Sequence, residues 1–223
     1  MEDQLNAFLA FVFHIGEWNL DKRYLRELMS ADIAVMETVF VESETDLSDG
    51  VFSRDVIVKP AISAGSNNTA RYKNDSAGAT EHARKLLSNG IAVLAQPYQS
   101  AIDEYCETGL VYLAGQFSHG FRKAPIFADK AQNHNGLYVE EEITLRIPSA
   151  AERAFGDKVV AFVKNKFGAS PLYARVDMVV NANGVPELME LELTEPSLFL
   201  HLDDEAPACA ALAFANAAAT NER

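Results

Sequence analysis

The sequence predicts an α+β fold, because signals for helices and for antiparallel strands are mixed along the chain. Residues Arg175 to Val180 and Met189 to Leu193 alternate apolar and polar side chains, as half-buried strands do. The dipeptide Asn183-Gly184 between them is typical of a two-residue hairpin turn. A capping-box pattern at Ser149 opens a helix that ends at Gly168. With 223 residues and 48% hydrophobic content, the chain can form one large domain or two intimately joined lobes.

The remaining elements are predicted from the same periodicities, together with capping residues, glycines and prolines at their ends. In chain order they are a helix at Tyr24 to Met29, strands at Ala34 to Val41, Val56 to Pro60 and Thr69 to Tyr72, a helix at Ala79 to Leu87, a strand at Ile91 to Ala95, a hairpin of Leu110 to Leu113 with Phe117 to Phe121, and a helix at Ala206 to Ala219. The apolar run Phe8 to Phe13 is shorter than the ~20 residues of a membrane span and follows acidic residues. It predicts a buried helix, packed internally or at the seam of a homo-oligomer.

Composition excludes several classes of function. The net charge of −13 and the pI near 4.8 argue against a general nucleic-acid or membrane-surface binder, because attraction to phosphates needs a basic face. A local cationic pocket for a nucleotide is compatible with this balance. The two cysteines, Cys106 and Cys209, lack the number for a disulfide framework and the spacing for a metal site, so a reducing cytoplasm is expected.

The hairpin predicts a cluster of carboxylates. A two-residue turn at Asn183-Gly184 sets a register in which Asp177 faces Glu190 and Arg175 faces Glu192. Like charges directly opposite each other destabilise a sheet by roughly 0.2–1 kcal/mol unless a cation lies between them. Oxygen-only ligands suit Mg²⁺. The alternative is an ordinary sheet with one solvated face, in which Arg175 and Glu192 form a cross-strand ion pair.

A second segment that could take part in binding or catalysis is Val56 to Tyr72. Lys59 ends an apolar strand and is followed by the small polar residues Ser63 to Thr69, a combination that suits a phosphate site. The spacing is not that of a P-loop, and a strand rather than a helix is expected after the loop. Taken alone, a lysine before a polar turn is more often a solvated strand end.

In their order along the chain, these segments resemble the ATP-grasp superfamily. The resemblance runs from Lys22 to the last strand and rests on VIVKP, SAGSNNT, LAQPY, ETGLVYLAGQFSHGFRK and RVD followed by ELMELELTEPS. Within that superfamily, the chain is most similar to the glutathione-synthetase-like ligases, including the O-ureidoserine-forming ligases. It implies an ATP-grasp fold, with two α+β lobes whose antiparallel sheets grip a nucleotide. The small lobe is expected at about 52–97 and the large lobe in the rest of 22–223, with 1–21 a helix left from a preceding domain.

The resemblance also implies roles for individual residues. Lys22 and Lys59 would reach the phosphates of ATP, under a flap that includes Ser63, Gly65, Ser66 and Thr69; Gln96 and Tyr98 would lie beside adenine; Glu107, with Glu104 as a rival, would bind the ribose; Arg122 and Lys59 would act in phosphoryl transfer; Asp177, Glu190 and Glu192 would bind two Mg²⁺ ions; and Arg71, Arg175 and Ser197 would contact substrate. Many relatives place an arginine where this chain has Gly109, so Arg175 and Arg71 are candidates to replace it.

The implied function is that of an ATP- and Mg²⁺-dependent ligase. It would activate a carboxylate as an acyl phosphate for attack by an amine-type nucleophile, on a small amino-acid-like substrate that contacts variable loops such as Ala128 to Glu142. One alternative is a non-catalytic nucleotide-binding regulatory or scaffold protein, motivated by the short segment ahead of Lys22. Another is an acidic protein with no nucleotide site, in which Lys59 and Asp177 would lie far apart.

Overall fold

A computed structural model describes residues 13–48, 50–63, 65–125, 142–194 and 196–220. Within them the chain folds into two antiparallel sheets with helices packed against them, which confirms the α+β prediction. Apart from Phe13, the run Phe8 to Phe13 lies outside the described residues, and so does all of the loop Ala128 to Glu142 except Glu142. Within the described part of the chain, no helix combines the length and the apolar character needed to cross a membrane.

The helices are α1 (residues 13–20), α2 (Leu25–Ser30), α3 (Ser76–Ser88), α4 (Ala101–Tyr105), α5 (Ala150–Phe167) and α6 (Ala206–Thr220). The strands are β1 (Val39–Val41), β2 (Val56–Pro60), β3 (Ala70–Tyr72), β4 (Val93–Pro97), β5 (Glu107–Leu113), β6 (Gln116–Lys123), β7 (Ile143–Arg146), β8 (Tyr173–Val180) and β9 (Pro186–Glu192). Short 3-10 turns lie at Lys22–Tyr24, Glu44–Asp46 and Leu200–Leu202. The predicted strand Ala34 to Val41 is thus shorter than expected.

The small sheet has the strand order β1-β4-β2-β3. Successive side chains of β2 point to opposite faces of this sheet, so they lie in two different environments. Val56 and Val58 pack with Ala79 and Ala83 of α3 in one apolar cluster. Lys59, the next residue, points to the other face of the sheet, where it is paired with Leu94 of β4.

The large sheet has the order β7-β6-β5-β8-β9. One face packs on α5, and its core contains Leu110, Val176 and Met178 together with Val159 and Val163 of the helix. The helix begins with the predicted capping box, in which Ser149 and Glu152 satisfy each other's backbone N–H groups, and ends at Gly168 with a φ of 76°. The opposite face carries most of the charged side chains and is called here the carboxylate face.

The turn between β8 and β9 differs from the prediction. The prediction of a two-residue turn at Asn183-Gly184 is wrong. The N–H of Asn181 donates to the carbonyl oxygen of Val185 at 2.9 Å, so the loop between them has three residues. Gly184 has a φ of 76°, the left-handed conformation that ends three-residue loops of this kind. The Oδ1 of Asn181 also accepts from the N–H of Asn183 at 2.9 Å, which favours the longer loop.

A β-bulge compensates for the longer loop. Near the turn Met178 pairs with Leu188, but the register shifts between Asp177 and Met178, so that Asp177 pairs with Glu190 and Arg175 with Glu192. The extra residue on β9 moves the register by one position. The predicted pairing of the carboxylates is therefore confirmed, although the turn from which it was inferred has a different length.

Candidate active site

The carboxylate face brings together four acidic side chains from three neighbouring strands. Asp177 of β8 is paired with Glu190 on β9 and with Gly109 on β5. Glu192 lies two residues after Glu190, and Glu107 two residues before Gly109, so all four carboxylates point to the same side of the sheet. Asp177 is almost completely buried.

Arg175 connects two of these carboxylates. Its Nε donates to both oxygens of Asp177 at 2.9 and 3.0 Å, and its Nη2 donates to Oδ2 of Asp177 at 2.7 Å and also to Glu192. The cross-strand ion pair of Arg175 with Glu192, considered above as an alternative, therefore exists, and Asp177 is an additional partner of Arg175. Across the described ranges, no three acidic, histidine or cysteine side chains form a ready metal-binding group.

Lys22 connects the third carboxylate to the loop after β2. Its Nζ lies 3.2 Å from Oε1 of Glu190 and donates to the carbonyl oxygen of Ser63 at 2.8 Å. The backbone N–H of Lys22 donates to the carbonyl oxygen of Ala61 at 2.8 Å, which fixes the turn beside the small sheet. Although burial acts to raise it, the pKa of Glu190 is held below its ordinary value by the ammonium groups of Lys22 and Lys59.

Lys59 faces the same group of charges from the small sheet. Burial lowers the pKa of its ammonium, while the negative charges of Glu190 and Glu107 oppose that shift. No ion pair links Lys59 to a carboxylate of the described residues. Two carboxylates of this face thus act on Lys59, which argues against the alternative in which Lys59 and Asp177 lie far apart.

Glu107 is buried at the start of β5. Its Oε1 has no hydrogen-bond partner within the described parts of the chain. Burial raises the pKa of Glu107 to about 8, and Lys123, which is paired with it on β6, opposes part of this rise. Glu104, the rival for the same role, is exposed on α4. Of the two acidic side chains, the structure brings only Glu107 to the carboxylate face.

Negative charge is crowded at the other end of the group as well. Burial and the neighbouring Asp177 carboxylate raise the pKa of Glu192 to about 8, although Arg175 opposes the shift. A carboxyl whose pKa is raised in this way gains from an additional cation nearby. The carboxylate face is therefore suited to a positively charged ligand.

Arg122 lies on the other side of the sheet. It is paired with Thr108, whose Oγ1 donates to Glu152 of α5 at 2.8 Å, and residues paired across strands point the same way. The Arg122 side chain is exposed, and its Nη2 donates to the carbonyl oxygen of Glu104 at 3.5 Å. The register of β5 with β6 thus separates Arg122 from the carboxylates and places Lys123 beside them instead.

The link between the sheets contains Gln96 and Tyr98. Gln96 is buried, and its Nε2 donates to Oγ1 of Thr38 at 2.8 Å. The N–H of Tyr98 donates to the carbonyl oxygen of Asp55 at 2.9 Å. The guanidinium of Arg71 lies 3.4 Å above the Tyr98 ring and forms an ion pair with Asp55 at 2.6 Å. Arg71 is therefore engaged at this link and not beside the metal-ligand candidates.

The loop of residues 63–69 follows Lys59, and all of it except residue 64 is described. Gly65 and Ser66 have φ values of 61° and 56°, and the N–H of Thr69 donates to the carbonyl oxygen of Ser66 at 3.1 Å. Thr69 is buried, while Ser63 accepts from Lys22. Ser197, beyond β9, contributes its carbonyl oxygen to Nη1 of Arg175 at 3.3 Å.

Sequence reasoning missed several residues of this face. Lys123, Phe121 and His119 lie two residues apart on β6 and point towards the carboxylates. The period-2 pattern of β6 could have identified them, because Lys123 is paired with Glu107. Phe199 carries no such signal, since it lies outside the strands.

Comparison with known proteins gives the chain a family. No family model matches it. The cycloserine biosynthesis protein DcsG of Streptomyces lavendulae is 32% identical over 213 residues, a match that covers 91% of this chain and 69% of that protein. The crystal structure of D-cycloserine synthetase DcsG matches with a TM-score of 0.81 at 29% identity, over 90% of this chain and 70% of that one.

More distant structures share the fold. D-alanine–D-alanine ligase from Bacillus anthracis, complexed with ATP, has a TM-score of 0.63 at 17% identity, covering 92% of this chain and 66% of that one. The ATP-grasp ligase PsnB, complexed with precursor peptide PsnA2 and AMPPNP, has a TM-score of 0.60 at 20% identity, covering 94% and 61%. Because the DcsG match extends over most of both chains, this protein belongs to the ATP-grasp superfamily of ATP-dependent carboxylate–amine ligases.

Proposed function

We propose that this ligase binds ATP with Mg²⁺ between its two sheets and activates a small, amino-acid-like carboxylate for attack by an amine. One observation carries the proposal: carboxylates and cations of the two sheets meet on a single face. The carboxylates are Glu107, Asp177, Glu190 and Glu192, and the cations are Lys22, Lys59, Lys123 and Arg175. The acidic oxygens are available to divalent cations that enter with a triphosphate, and the basic groups are available to its phosphates.

The nucleotide is assigned from the positions of these groups along the sheets. Lys59 and Lys22 are the ammonium groups for the phosphates, and the loop of residues 63–69 covers them. Glu107, whose Oε1 is buried and unpartnered within the described residues, accepts from ribose hydroxyls. The backbone around Gln96 and Tyr98 lies where the sheets are linked, and it holds adenine.

The residues present fit Mg²⁺. Asp177, Glu190 and Glu192 offer only oxygen donors, and each is paired with a cation that a metal can replace. When bound, two Mg²⁺ ions neutralise the negative charge of the β- and γ-phosphates. Mg²⁺ bound to Asp177 and Glu192 would leave the Arg175 guanidinium available on the same face. This makes Arg175 a better candidate than Arg122 for contact with the transferred phosphoryl group.

The chemistry follows in two displacements. A carboxylate oxygen of the acceptor attacks the γ-phosphorus, and the bond to the bridging oxygen of ADP breaks. The amine nitrogen then attacks the acyl carbon, phosphate leaves, and the nitrogen loses a proton to form the amide. No side-chain nucleophile is needed, since Lys59 and Arg175 act by holding negative charge in place. An amino-acid-like acceptor is supported by the relative named for cycloserine biosynthesis.

The test compares ligand-induced stabilisation in the parent and in Glu190→Gln. At about 100 times the dissociation constant, Mg²⁺ with ATP stabilises the parent by about 2.7 kcal/mol. Glu190→Gln loses most of this stabilisation, because it removes a metal oxygen and the partner of Lys22. Glu104→Gln, whose side chain is exposed, behaves like the parent.

The proposal fails if Mg²⁺ and ATP do not stabilise the parent, or if Glu190→Gln responds as the parent does. Phosphate release measured with a panel of amino acids then distinguishes a ligase from a non-catalytic nucleotide-binding protein. The ligase releases phosphate only when an acceptor is present. A protein that binds ATP but gives no acceptor-dependent release is of the second kind.

A further inference from the structure

Gly109 lies in the centre of the carboxylate face, opposite Asp177. A Cβ atom built on it would lie 2.1 Å from Cζ of Phe121 and 2.5 and 2.6 Å from the two Cε atoms. Atoms cannot approach so closely, so any side chain at this position would displace the ring. The glycine is therefore required by a buried aromatic ring that fills the space above it.

A second ring covers the first. The centroids of Phe121 and Phe199 are 4.7 Å apart with planes at 64°, an edge-to-face contact. Phe199 has a φ of 47° and a ψ of 39°, a left-handed conformation that is unfavourable for a residue with a Cβ. Phe121 and Phe199 together are called the aromatic clamp.

Two hydrogen bonds hold the backbone that carries Phe199. The Nε2 of His119 donates to the carbonyl oxygen of Leu198 at 2.9 Å, and Nη1 of Arg175 donates to that of Ser197 at 3.3 Å. The backbone thus follows a defined path over the carboxylate face. This anchoring accounts for the persistence of an unfavourable backbone conformation at Phe199.

The aromatic clamp lies beside the guanidinium of Arg175. The Cζ of Arg175 lies 5.8 Å from the centroid of Phe121 and 5.9 Å from that of Phe199, within range of a cation–π interaction. The same guanidinium forms ion pairs with Asp177 and Glu192. Carboxylates and rings therefore both restrain its position.

The order of residues along β5 places Arg175 at the end of the carboxylate face farther from Glu107. Glu107, assigned to the ribose, comes first; Gly109 lies beside the metal-ligand candidate Asp177; and Val111 pairs with both Arg175 and His119. Moving along the strand therefore leads from Glu107 to Asp177, level with Phe121, and then to Arg175 and His119.

We propose that Gly109, Phe121 and Phe199 are positioning residues for the ligase reaction, which hold the Arg175 guanidinium at the transferred phosphoryl group. This rests on the function proposed above. Among the described residues Arg175 provides the guanidinium of this face, and its placement depends on the aromatic clamp. If Mg²⁺ took the place of Arg175 beside Asp177 and Glu192, the two rings would still restrain its guanidinium.

The test uses ADP, Mg²⁺ and aluminium fluoride, which together stand in for the phosphoryl group in transfer. Titration calorimetry gives the affinity for ADP with Mg²⁺, and then the affinity for aluminium fluoride in that complex. In Gly109→Ala the affinity for ADP stays within about twofold of the parent, whereas that for aluminium fluoride falls at least about tenfold, since a displacement of about 1 Å is costly in such a site. Gly50→Ala, with no atom within 4 Å of the added Cβ, behaves like the parent.

Second-site variants distinguish positioning from simple packing. Gly109→Ala combined with Phe121→Leu removes the overlap and restores thermal stability, but it does not restore aluminium fluoride affinity, because the ring facing Arg175 is gone. Phe199→Asn removes the other ring at a position whose left-handed backbone asparagine tolerates. It therefore loses the ring contact without adding backbone strain, so the protein stays folded while aluminium fluoride affinity falls, whereas Phe199→Tyr keeps both stability and affinity. Phe199→Asn also supplies the decisive measurement if Gly109→Ala does not fold.

The inference is overturned if Phe199→Asn binds aluminium fluoride as the parent does, or if stability and affinity fall and recover together in every variant. If the parent itself fails to bind ADP with Mg²⁺, the proposed function is the part that is wrong. A parent that binds ADP but shows no clamp-dependent affinity for aluminium fluoride retains the nucleotide site and refutes the positioning role.

Discussion

Replacing Glu107 by glutamine is expected to change how the stability of the protein depends on pH. Burial raises the pKa of Glu107 in the folded chain to about 8, from an ordinary value of 4.5. A raised pKa means that the folded state binds a proton which the unfolded state has already released. The corresponding contribution to stability is fully present below pH 4.5 and is lost as the pH rises through about 8.

The magnitude follows from proton linkage. Within this window, each pH unit removes up to about 1.4 kcal/mol of unfolding free energy. From about pH 6 to about pH 8 the parent should lose about 2 kcal/mol at this site, because titration is nearly half complete at the upper end. For a chain of this length that corresponds to a fall in Tm of about 4–8 °C. Glu107→Gln cannot titrate and lacks this share of the pH dependence.

The assay is thermal unfolding across this pH range, without nucleotide or metal. Glu104→Gln is the matched control, because it removes an exposed carboxylate only three residues away. The parent and the control should lose stability together with rising pH, while Glu107→Gln shows a flatter profile and is the more stable protein at the alkaline end. Parallel profiles for Glu107→Gln and the parent would refute the reasoning that burial holds the Glu107 carboxyl protonated here.

Two further predictions concern packing and the link between the sheets. Gly156→Ala should gain about 1 kcal/mol of helix propensity, but its Cβ would lie 2.5 Å from Oη of Tyr112. The overpacking should outweigh the gain, so urea unfolding should show a net loss of about 1–2 kcal/mol in the free energy of unfolding. A net gain would mean that α5 shifts freely to make room. Arg71→Lys keeps the charge but loses the paired hydrogen bonds to Asp55 and the stacking on Tyr98. The free energy of unfolding in urea should fall by about 1–2 kcal/mol, and ADP should bind more weakly. An unchanged ADP affinity in calorimetry would show that Tyr98 is held without Arg71.

Part of this molecule could be predicted because the determining interactions are local. The capping box at Ser149 and the glycine at 168 define α5 with contacts a few residues apart, and the structure places both helix ends there. The alternation in β8 and β9 likewise shows which side chains share a face. Three candidate metal ligands were placed on one side of the sheet by this pattern, and the pairing of Asp177 with Glu190 is confirmed.

The turn at Asn183-Gly184 shows the limit of local reasoning. The sequence predicted a hairpin there but a loop one residue too short, and the bulge that restores the pairing of the carboxylates has no local signature. Arg122 shows the same limit. Which of two adjacent cations faces Glu107 depends on the register of β5 against β6, and the structure selects Lys123.

The sequence by itself determined the fold class, the order of the elements and the residue types available for binding a nucleotide. Only the tertiary structure decided the remaining contacts: Lys22 reaches Glu190, Arg175 binds Asp177 as well as Glu192, and the Phe121 ring requires a glycine at 109. The physical reason is that periodicity assigns a side chain to a face of its own element, whereas partners and empty space depend on how elements distant in sequence pack together.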